Sequence, residues 1–190
     1  MVWAGSAETL NPPISAKRSS PMTLKIRPIR IEGNIAYVPL TKGYEAVIDA
    51  SDVPIVEKNN WHAMVSPRSV YAAKNSCRGG KRVMVIMHRL LIQAPDKLEV
   101  DHIDGDGLNN SRCNLRLATK AQNAHNSRTP INNTSGYKGV WWNKRDNVFL
   151  CRIGVNGKYK HLGSFRCATS AHLAYRKASA ELHGAFGRAE

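Results

Sequence analysis

One polar segment in the middle of the chain contains the residue types that hydrolytic chemistry requires. Asp101 and His102 are adjacent, Asn114 follows a glycine-bearing loop, and Asn123 lies further on. A neutral imidazole can accept a proton from water near physiological pH, and carboxylate and amide oxygens are ligands that Mg²⁺ or Mn²⁺ prefers. Phosphodiester hydrolysis needs both groups, because the cation stabilises charge developing on the leaving group. A hydrogen bond with Asn114 would fix the imidazole tautomer.

A strand, a loop, a second strand and a short helix are expected to position these residues. The first strand ends at Asp101 and His102, and residues 114–118 alternate as a second strand does. Thr119 and Gln122 match a capping box, which predicts a helix start. Adjacent strand residues point to opposite faces, so Asp101 and His102 can serve one site only if the strand end is twisted or bulged.

The same segment also has an interpretation without chemistry. Asp104-Gly105 and Asp106-Gly107 are turn-forming dipeptides, so the loop could consist of turns alone. A calcium-binding loop starting at Asp104 is excluded, because Leu108 and Leu115 stand where such a loop needs oxygen ligands. The residue types by themselves leave the catalytic and the turn-only interpretations open.

Residues 88–126 resemble the HNH endonucleases, specifically the phage and intron-homing type with a ββα-metal fold. The similarity rests on His88 to Leu91, Val100 to Asp106, Asn114 to Thr119 and Gln122-Asn123. It implies that His102 is the general base, that Asn114 orients it, and that Asp101 and Asn123 bind one divalent cation. Asparagine at position 123, as in the homing-type members, favours magnesium over zinc or nickel.

Other polar residues of this segment have less specific expectations. His88 is expected in a short helix with a structural role. Only one of His125 and Asn126 is expected to face the site, because they point to different sides of a helix. Arg112 and Arg116 flank the site, and either could hold a phosphate.

The overall charge favours a polyanionic partner. The 190 residues include 28 Lys and Arg against 14 Asp and Glu, a formal net charge of +14. Residues 128–190 alone carry 11 basic and 3 acidic side chains. Double-stranded DNA fits this excess. The four cysteines form no C-x-x-C pair, which argues against a zinc ribbon and suits a reducing cytoplasm. No apolar run is long enough to span a membrane and no export signal is evident, so no membrane partner is expected.

These patterns predict an α+β protein of two domains. Residues 1–21 are expected to be a disordered extension, with either Met1 or Met22 as the natural start. The HNH nuclease domain, in which short strands precede the ββα segment, is assigned to residues 22–127. Residues 128–134 form a linker, and residues 135–190 form the second domain. A cytoplasmic monomer, in a bacterial or phage-infected cell, is the default expectation.

The second domain is predicted to be a three-stranded antiparallel sheet packed on one helix. Asn156-Gly157 is a type I′ hairpin signal. It pairs Val155 with Lys158, Ile153 with Lys160 and Cys151 with Leu162. Thr169 is expected to cap the helix and Gly184 to end it. Its inner face would comprise Ala171, Ala174, Tyr175, Ala178 and Leu182. The opposite face of the sheet, with its cations and aromatic rings, is expected to enter the major groove, the alternative being a solvated basic face.

Residues 135–188 resemble the plant ethylene-response-factor (Apetala-type) DNA-binding domain, which is often fused to phage and bacterial HNH nucleases. The matching segments are Ser135 to Val140, Gly157 to Phe165 and Ala174 to Gly184. The resemblance implies groove-facing roles for Lys138, Trp141, Arg152, Tyr159 and His161. Trp142 and Lys144 complete the DNA-binding residues expected from this part of the sequence.

The function predicted from all these features is a metal-dependent DNA endonuclease, of homing or phage type, targeted by its C-terminal sheet. Two alternatives belong to other classes. One is a non-catalytic DNA-binding or regulatory protein with a decayed nuclease fold. The presence of all four proposed site residues argues against this alternative. The other is a ribosomal-type RNA-binding protein, which leaves Asp101 and His102 unexplained.

Overall fold

The computed structural model describes residues 25–189. The predicted N-terminal extension and the alternative start at Met22 lie outside the described residues. Within them the chain forms several small antiparallel sheets and four α-helices, which confirms a mixed α and β architecture. None of the described helices has the length and apolar character needed to cross a bilayer.

Two three-stranded antiparallel sheets precede the polar segment. The first contains β1 (Arg30–Glu32), β2 (Ile35–Pro39) and β3 (Glu45–Asp49), followed by α1 (Val53–Val56). The second contains β4 (His62–Val65), β5 (Val70–Arg78) and β6 (Lys81–Ile86), followed by α2 (Met87–Leu91). The short strands and the short helix at His88 were predicted from the sequence, and the structure confirms them.

One hydrophobic core joins these two sheets. Val38 and Ile48 alternate with outward residues on β2 and β3, and they pack in the same cluster as Trp61, Met87 and Leu91. The Trp61 indole also donates a hydrogen bond to the Val56 carbonyl at 3.0 Å, so its polar edge is satisfied inside the core. The core gives the following segment a fixed support.

The polar segment folds in the predicted order of strand, loop, strand and helix. Its elements are β7 (Glu99–His102), β8 (Leu115–Ala118) and α3 (Lys120–His125). The predicted capping box is present. The backbone N–H of Gln122 donates to the Thr119 hydroxyl, and the side-chain oxygen of Gln122 accepts from the backbone N–H of Thr119. The loop between the strands hydrogen-bonds to Val47 of β3, so it is fixed on the first sheet.

The C-terminal part contains the predicted sheet and helix around a separate core. The strands are β9 (Val140–Asn143), β10 (Val148–Val155) and β11 (Lys158–Phe165), with β10 in the middle, and α4 (Ala168–His183) covers one face. Val140, Cys151, Ile153, Ala171 and Tyr175 are buried between the sheet and the helix. The sheet's other face is open.

The hairpin register differs from the prediction at one position. Val155 pairs with Lys158 and Ile153 with Lys160, as expected. Cys151, however, lies opposite Gly163 rather than Leu162, because a bulge shifts the register next to it. Gly163 has a φ of +137°, a conformation that side chains rarely adopt, so glycine is suited to this shift.

The boundaries of α4 also need a correction. The helix begins at Ala168 with Cys167 in the N-cap position, two residues before the cap predicted at Thr169. Gly184 ends it, as predicted. Leu182 is exposed rather than buried, whereas Ser179 is buried, because the chain folds back and places Gly187 against it.

Candidate active site

Paired carboxylates and amides join strand β7 to helix α3. Glu99 and Asp101 lie two residues apart and therefore project from the same face of the strand. The amide of Asn123 donates to Glu99 Oε2 at 2.6 Å, and the amide of Asn126 donates to Asp101 Oδ1 at 2.8 Å. Only one of His125 and Asn126 was expected to face the site, and the structure shows that it is Asn126, while His125 is turned away.

Arg116 holds Asp101 in place from the neighbouring strand. The two residues are directly opposite in the β7–β8 pair, and the Arg116 guanidinium donates to Asp101 Oδ2 at 2.7 Å from Nε and 2.6 Å from Nη2. The same guanidinium donates to the Ala185 carbonyl and stacks 3.9 Å from the Phe186 ring centroid. Arg116 therefore connects the active-site carboxylate with the C-terminal segment, and it is not a free phosphate ligand.

His102 projects from the opposite face of β7 into a buried aromatic cluster. Its Nε2 lies 3.3 Å from Asn110 Oδ1, and its ring contacts those of His88 and Tyr71. Burial lowers the pKa of His102, although Asn110 and the neighbouring aspartates act in the opposite direction. Burial also lowers the pKa of His88 to about 3. His102 is therefore a neutral imidazole at pH 7, which is the form that can accept a proton.

One cleft of about 560 Å³ contains the side chains from both faces of β7. Because the strand ends at His102, the cleft extends around its end and reaches Asp101 as well, so no strand bulge is needed to bring them to one site. Gly107 lies in the wall, where a Cβ would overlap the Tyr71 ring and the Val70 carbonyl. The polar lining includes Glu99, Asp101, His102, Asn123, Asn126 and Arg128.

The sequence-predicted partner of the imidazole lies elsewhere, in the loop. The Asn114 amide donates to Asp104 Oδ1 at 2.9 Å and to the Asn109 carbonyl at 2.8 Å, and its oxygen accepts from the Asp104 N–H. Asn114 thus stabilises the loop, and Asn110 is the residue at the imidazole. Asn110 is 0% exposed, and its amide donates to the Leu108 carbonyl. Sequence reasoning missed Asn110, since no local pattern distinguishes it from Asn109.

Arg112 also has a structural role in this loop. Its side-chain Nε and Nη2 donate to the buried Asp52 carboxylate at 2.9 Å and 2.7 Å. Its backbone N–H donates to the Asp49 carboxylate. The loop is consequently attached to the first sheet by an ion pair as well as by its backbone. Arg112 is not among the residues that line the cleft.

The donor set of the cleft is suited to a hard cation. Among residues 25–189, no group of three or more His, Cys, Asp and Glu side chains is placed to hold a metal ion. The cleft nevertheless contains the carboxylates of Glu99 and Asp101 beside the amides of Asn123 and Asn126. Mg²⁺ in proteins commonly has one or two carboxylate ligands and keeps several waters, so oxygen donors of this kind fit it. These oxygen donors are the residues of the cleft that could hold a hard cation.

Lys138 lies at the junction of the two parts of the chain. Its ammonium donates to the His125 and Ser127 carbonyls, both at 2.6 Å, at the C-terminal end of α3. Burial, together with the charge of Arg188, lowers the pKa of Lys138 to about 8. His125 stacks on His183 with ring centroids 3.6 Å apart. Lys138 thus lines the same cleft as Trp141, Arg152 and Tyr159, with its ammonium bound by two carbonyls at the end of α3.

Three of the predicted DNA-binding residues lie together on that open face. The Arg152 guanidinium lies 4.0 Å from the ring centroid of Tyr159 and 4.9 Å from that of Trp141. Tyr159 is 70% exposed, and His161 is also exposed on the same strand. The three stacked residues line a second cleft of about 740 Å³, which adjoins the first because both contain Ala124, Ser127 and Arg128.

The other two predicted DNA-binding residues are separated from this cluster. Trp142 packs on Phe149, with ring centroids 4.8 Å apart, and it alternates with Trp141, so it lies on the helix side of the sheet. Lys144 is exposed in the turn between β9 and β10.

Comparison with known proteins shows similarity to HNH endonucleases in the middle of the chain. A family model described as HNH endonuclease matches residues 93–125, which contain β7, β8 and α3. Protein 3.8 of Escherichia phage T7 is 38% identical over 94 residues, covering 50% of this chain and 77% of that protein. An uncharacterized HNH endonuclease of Acanthamoeba polyphaga mimivirus is 29% identical over 147 residues, covering 76% of this chain and 74% of that protein. The chain contains an HNH endonuclease domain.

The HNH match includes the four residues that the sequence placed in the site. Asp101, His102, Asn114 and Asn123 all lie within the matched range, which ends before the C-terminal sheet. No solved structure matches the chain. The HNH domain match and the phage and viral relatives support a nuclease.

Proposed function

We propose that this HNH protein is an endonuclease that hydrolyses a phosphodiester bond of duplex DNA, with one Mg²⁺ or Mn²⁺ in its active site. The observation that carries the proposal is the cleft at the end of β7. A buried, neutral His102 and the carboxylate of Asp101 face the same space there, although they project from opposite faces of the strand. A general base beside an oxygen-donor set is what metal-assisted hydrolysis needs.

The hydrogen bonds around His102 support Nδ1 as its proton-accepting atom. The Asn110 amide nitrogen donates to the Leu108 carbonyl, which orients Asn110 Oδ1 towards His102 Nε2. Because that oxygen only accepts, Nε2 carries the proton and Nδ1 has the free lone pair. His102 Nδ1 is therefore the atom that takes a proton from the attacking water.

The remaining residues of the site are proposed to bind the cation or to orient the catalytic side chains. Asp101 and Asn123 would hold the cation, which when bound stabilises negative charge on the phosphate and the leaving oxygen. Arg116 orients the Asp101 carboxylate through two hydrogen bonds. Asn114 preserves the loop that brings Asn110 to the imidazole.

The C-terminal sheet is proposed to be an Apetala-type domain that binds duplex DNA through its open face. Trp141, Arg152 and Tyr159 form a stacked group there, with His161 on the same strand and Lys144 in the adjacent turn. Arginine grips phosphates and guanine edges, while the flat rings can pack on sugars. The phage and viral relatives support a homing-type or phage-encoded nuclease that acts in the host cytoplasm.

The enzymatic part of the proposal is tested with supercoiled plasmid. Wild-type protein with Mg²⁺ or Mn²⁺ is expected to convert the plasmid to open-circular or linear DNA, and EDTA to prevent this, because the cation is required for charge stabilisation. Gel electrophoresis over a time course measures the conversion. Intact supercoiled DNA across several divalent metals would instead support a non-catalytic DNA-binding protein.

The binding part is tested by replacing Arg152 with alanine. We expect weaker binding to any duplex and a salt dependence of log Kobs that is shallower by about 1, because one phosphate contact is lost. Fluorescence anisotropy in EDTA at several salt concentrations measures both quantities. Arg176→Ala, on the exposed face of α4, is the matched control. An Arg152→Ala slope equal to that of this control would contradict the assignment.

A further inference from the structure

The second sheet of the nuclease part presents a charged surface that the proposed function does not use. Residues 58–95 contain seven Lys and Arg and no Asp or Glu. Three of these cations, Arg78, Lys81 and Arg82, lie at the end of the β5–β6 hairpin beside the Gly79-Gly80 turn. We call residues 74–85 the basic arm.

The basic arm projects from the core instead of packing on it. Residues 75–84 are all exposed, so both faces of the hairpin are open to solvent in this stretch. Arg78 is paired across the strands with Lys81, and Cys77 with Arg82, which places three like charges within one turn. Within residues 25–189, none of these three forms an ion pair with a carboxylate. Like charges repel at this separation, so the arrangement is suited to a polyanionic partner.

The base of the basic arm belongs to the active-site cleft. Arg68, Ser69 and Tyr71, which precede or begin β5, line the same cleft as Asp101 and His102. From Tyr71 to Arg78 the strand advances roughly 23 Å at about 3.3 Å per residue. That length corresponds to about seven base pairs of duplex at about 3.4 Å each. The arm therefore extends from the cleft far enough to follow the backbone of DNA bound there.

The two clefts show where this surface lies relative to the C-terminal sheet. The cleft at the open face of the sheet shares Ala124, Ser127 and Arg128 with the active-site cleft, whereas the strand that carries the basic arm lines the active-site cleft at Tyr71. A duplex held across the cleft would thus meet two separate basic surfaces, one from each part of the chain.

We propose that the basic arm binds the phosphate backbone of the duplex, through Arg78, Lys81 and Arg82, at a stretch separate from the one held by the C-terminal sheet. This inference rests on the proposed function of the cleft. The contacts are electrostatic and independent of base sequence, because flexible cations at a glycine turn grip phosphates and carry no base-reading pattern. The arm would add affinity and fix the duplex across the cleft.

A triple replacement tests the basic arm. In Arg78→Ala/Lys81→Ala/Arg82→Ala protein, we expect the salt slope of log Kobs for a 30-base-pair duplex to fall by about 2–3, at about 0.9 per phosphate contact. Affinity near 0.1 M salt should fall at least about tenfold. The matched control, Lys97→Ala/Arg176→Ala/Lys177→Ala, removes the same charge from exposed positions elsewhere and should change the slope by less than about 1. Equal slopes for the two triple variants would overturn the inference.

Natural cysteines give a second measurement on the unmodified protein. Cys77 is exposed on the basic arm, and Cys167 is exposed at the start of α4. Saturating duplex in EDTA should slow the alkylation of Cys77 several-fold and leave that of Cys167 unchanged, as followed by peptide mass spectrometry. An unprotected Cys77 would overturn the inference even if both triple variants folded poorly.

The outcomes separate this inference from the proposed function. A wild-type protein that binds and cleaves duplex, with an arm variant whose salt slope is unchanged, would overturn the role of the arm alone. A wild-type protein that binds no duplex at all would overturn both.

Discussion

Replacement of His102 by alanine is expected to lower the rate of plasmid cleavage by about 10²–10⁴-fold, the typical contribution of a general base. His102 is the proposed general base, and no other described histidine lines the active-site cleft. Duplex affinity in EDTA should be unchanged, because the basic surfaces remain. Single-turnover cleavage of supercoiled plasmid and anisotropy measure the two quantities.

Two further variants make this result interpretable. His102→Gln retains a side chain that can bond Asn110, so it should be as inactive as His102→Ala even if the alanine variant is less stable. His62→Ala, a half-buried histidine on β4, should cleave at the wild-type rate. Cleavage by His102→Gln at the wild-type rate would show that His102 is not the base.

Replacement of Arg116 by methionine is expected to lower the free energy of unfolding by about 3–5 kcal/mol, because it leaves a buried carboxylate without its cation. The side chains of Arg116 and Asp101 are only 18% and 4% exposed. Urea denaturation followed by tryptophan fluorescence measures the change. Arg145→Met is the matched control, since the Arg145–Asp146 pair is 93% and 58% exposed and contributes at most about 1 kcal/mol.

A double-mutant cycle attributes the effect of Arg116 to Asp101. Asp101→Asn removes the charge that Arg116 compensates, so the double variant should be less destabilised than the sum of the single ones. The remaining loss would reflect the contacts of Arg116 with Ala185 and Phe186. Additive effects of the two replacements would show that the ion pair contributes no coupling.

Features that depend on neighbours in the chain were predicted well. The capping box of Thr119 and Gln122 and the turn at Asn156-Gly157 were correct, because each consists of contacts within a few residues. The Cys151–Leu162 pairing was wrong, since a bulge several residues from the turn changes the register. The cap at Thr169 was wrong as well, and it rested on residue type without a partner that confirms it.

The identity of partners within the site could not be predicted in the same way. Asn110 reaches His102 because the loop is hydrogen-bonded to Val47, more than 60 residues earlier in the chain. Lys138 matches a groove-facing position by sequence, yet it donates to carbonyls at the end of α3. Neither contact can be predicted from a local sequence pattern, because the two partners are far apart in the chain.

The sequence by itself determined the element order, the two cores and the residue types available for catalysis, all of which follow from short-range patterns of polarity and turn chemistry. Only the tertiary structure decided which side chains share a space. Asp101 and His102 point away from each other on their strand, as alternation demands, and they face one cleft only because the strand ends there and other elements close around it. Long-range packing, which no local pattern encodes, also brings Arg116 to Asp101 and extends the basic arm from the same cleft.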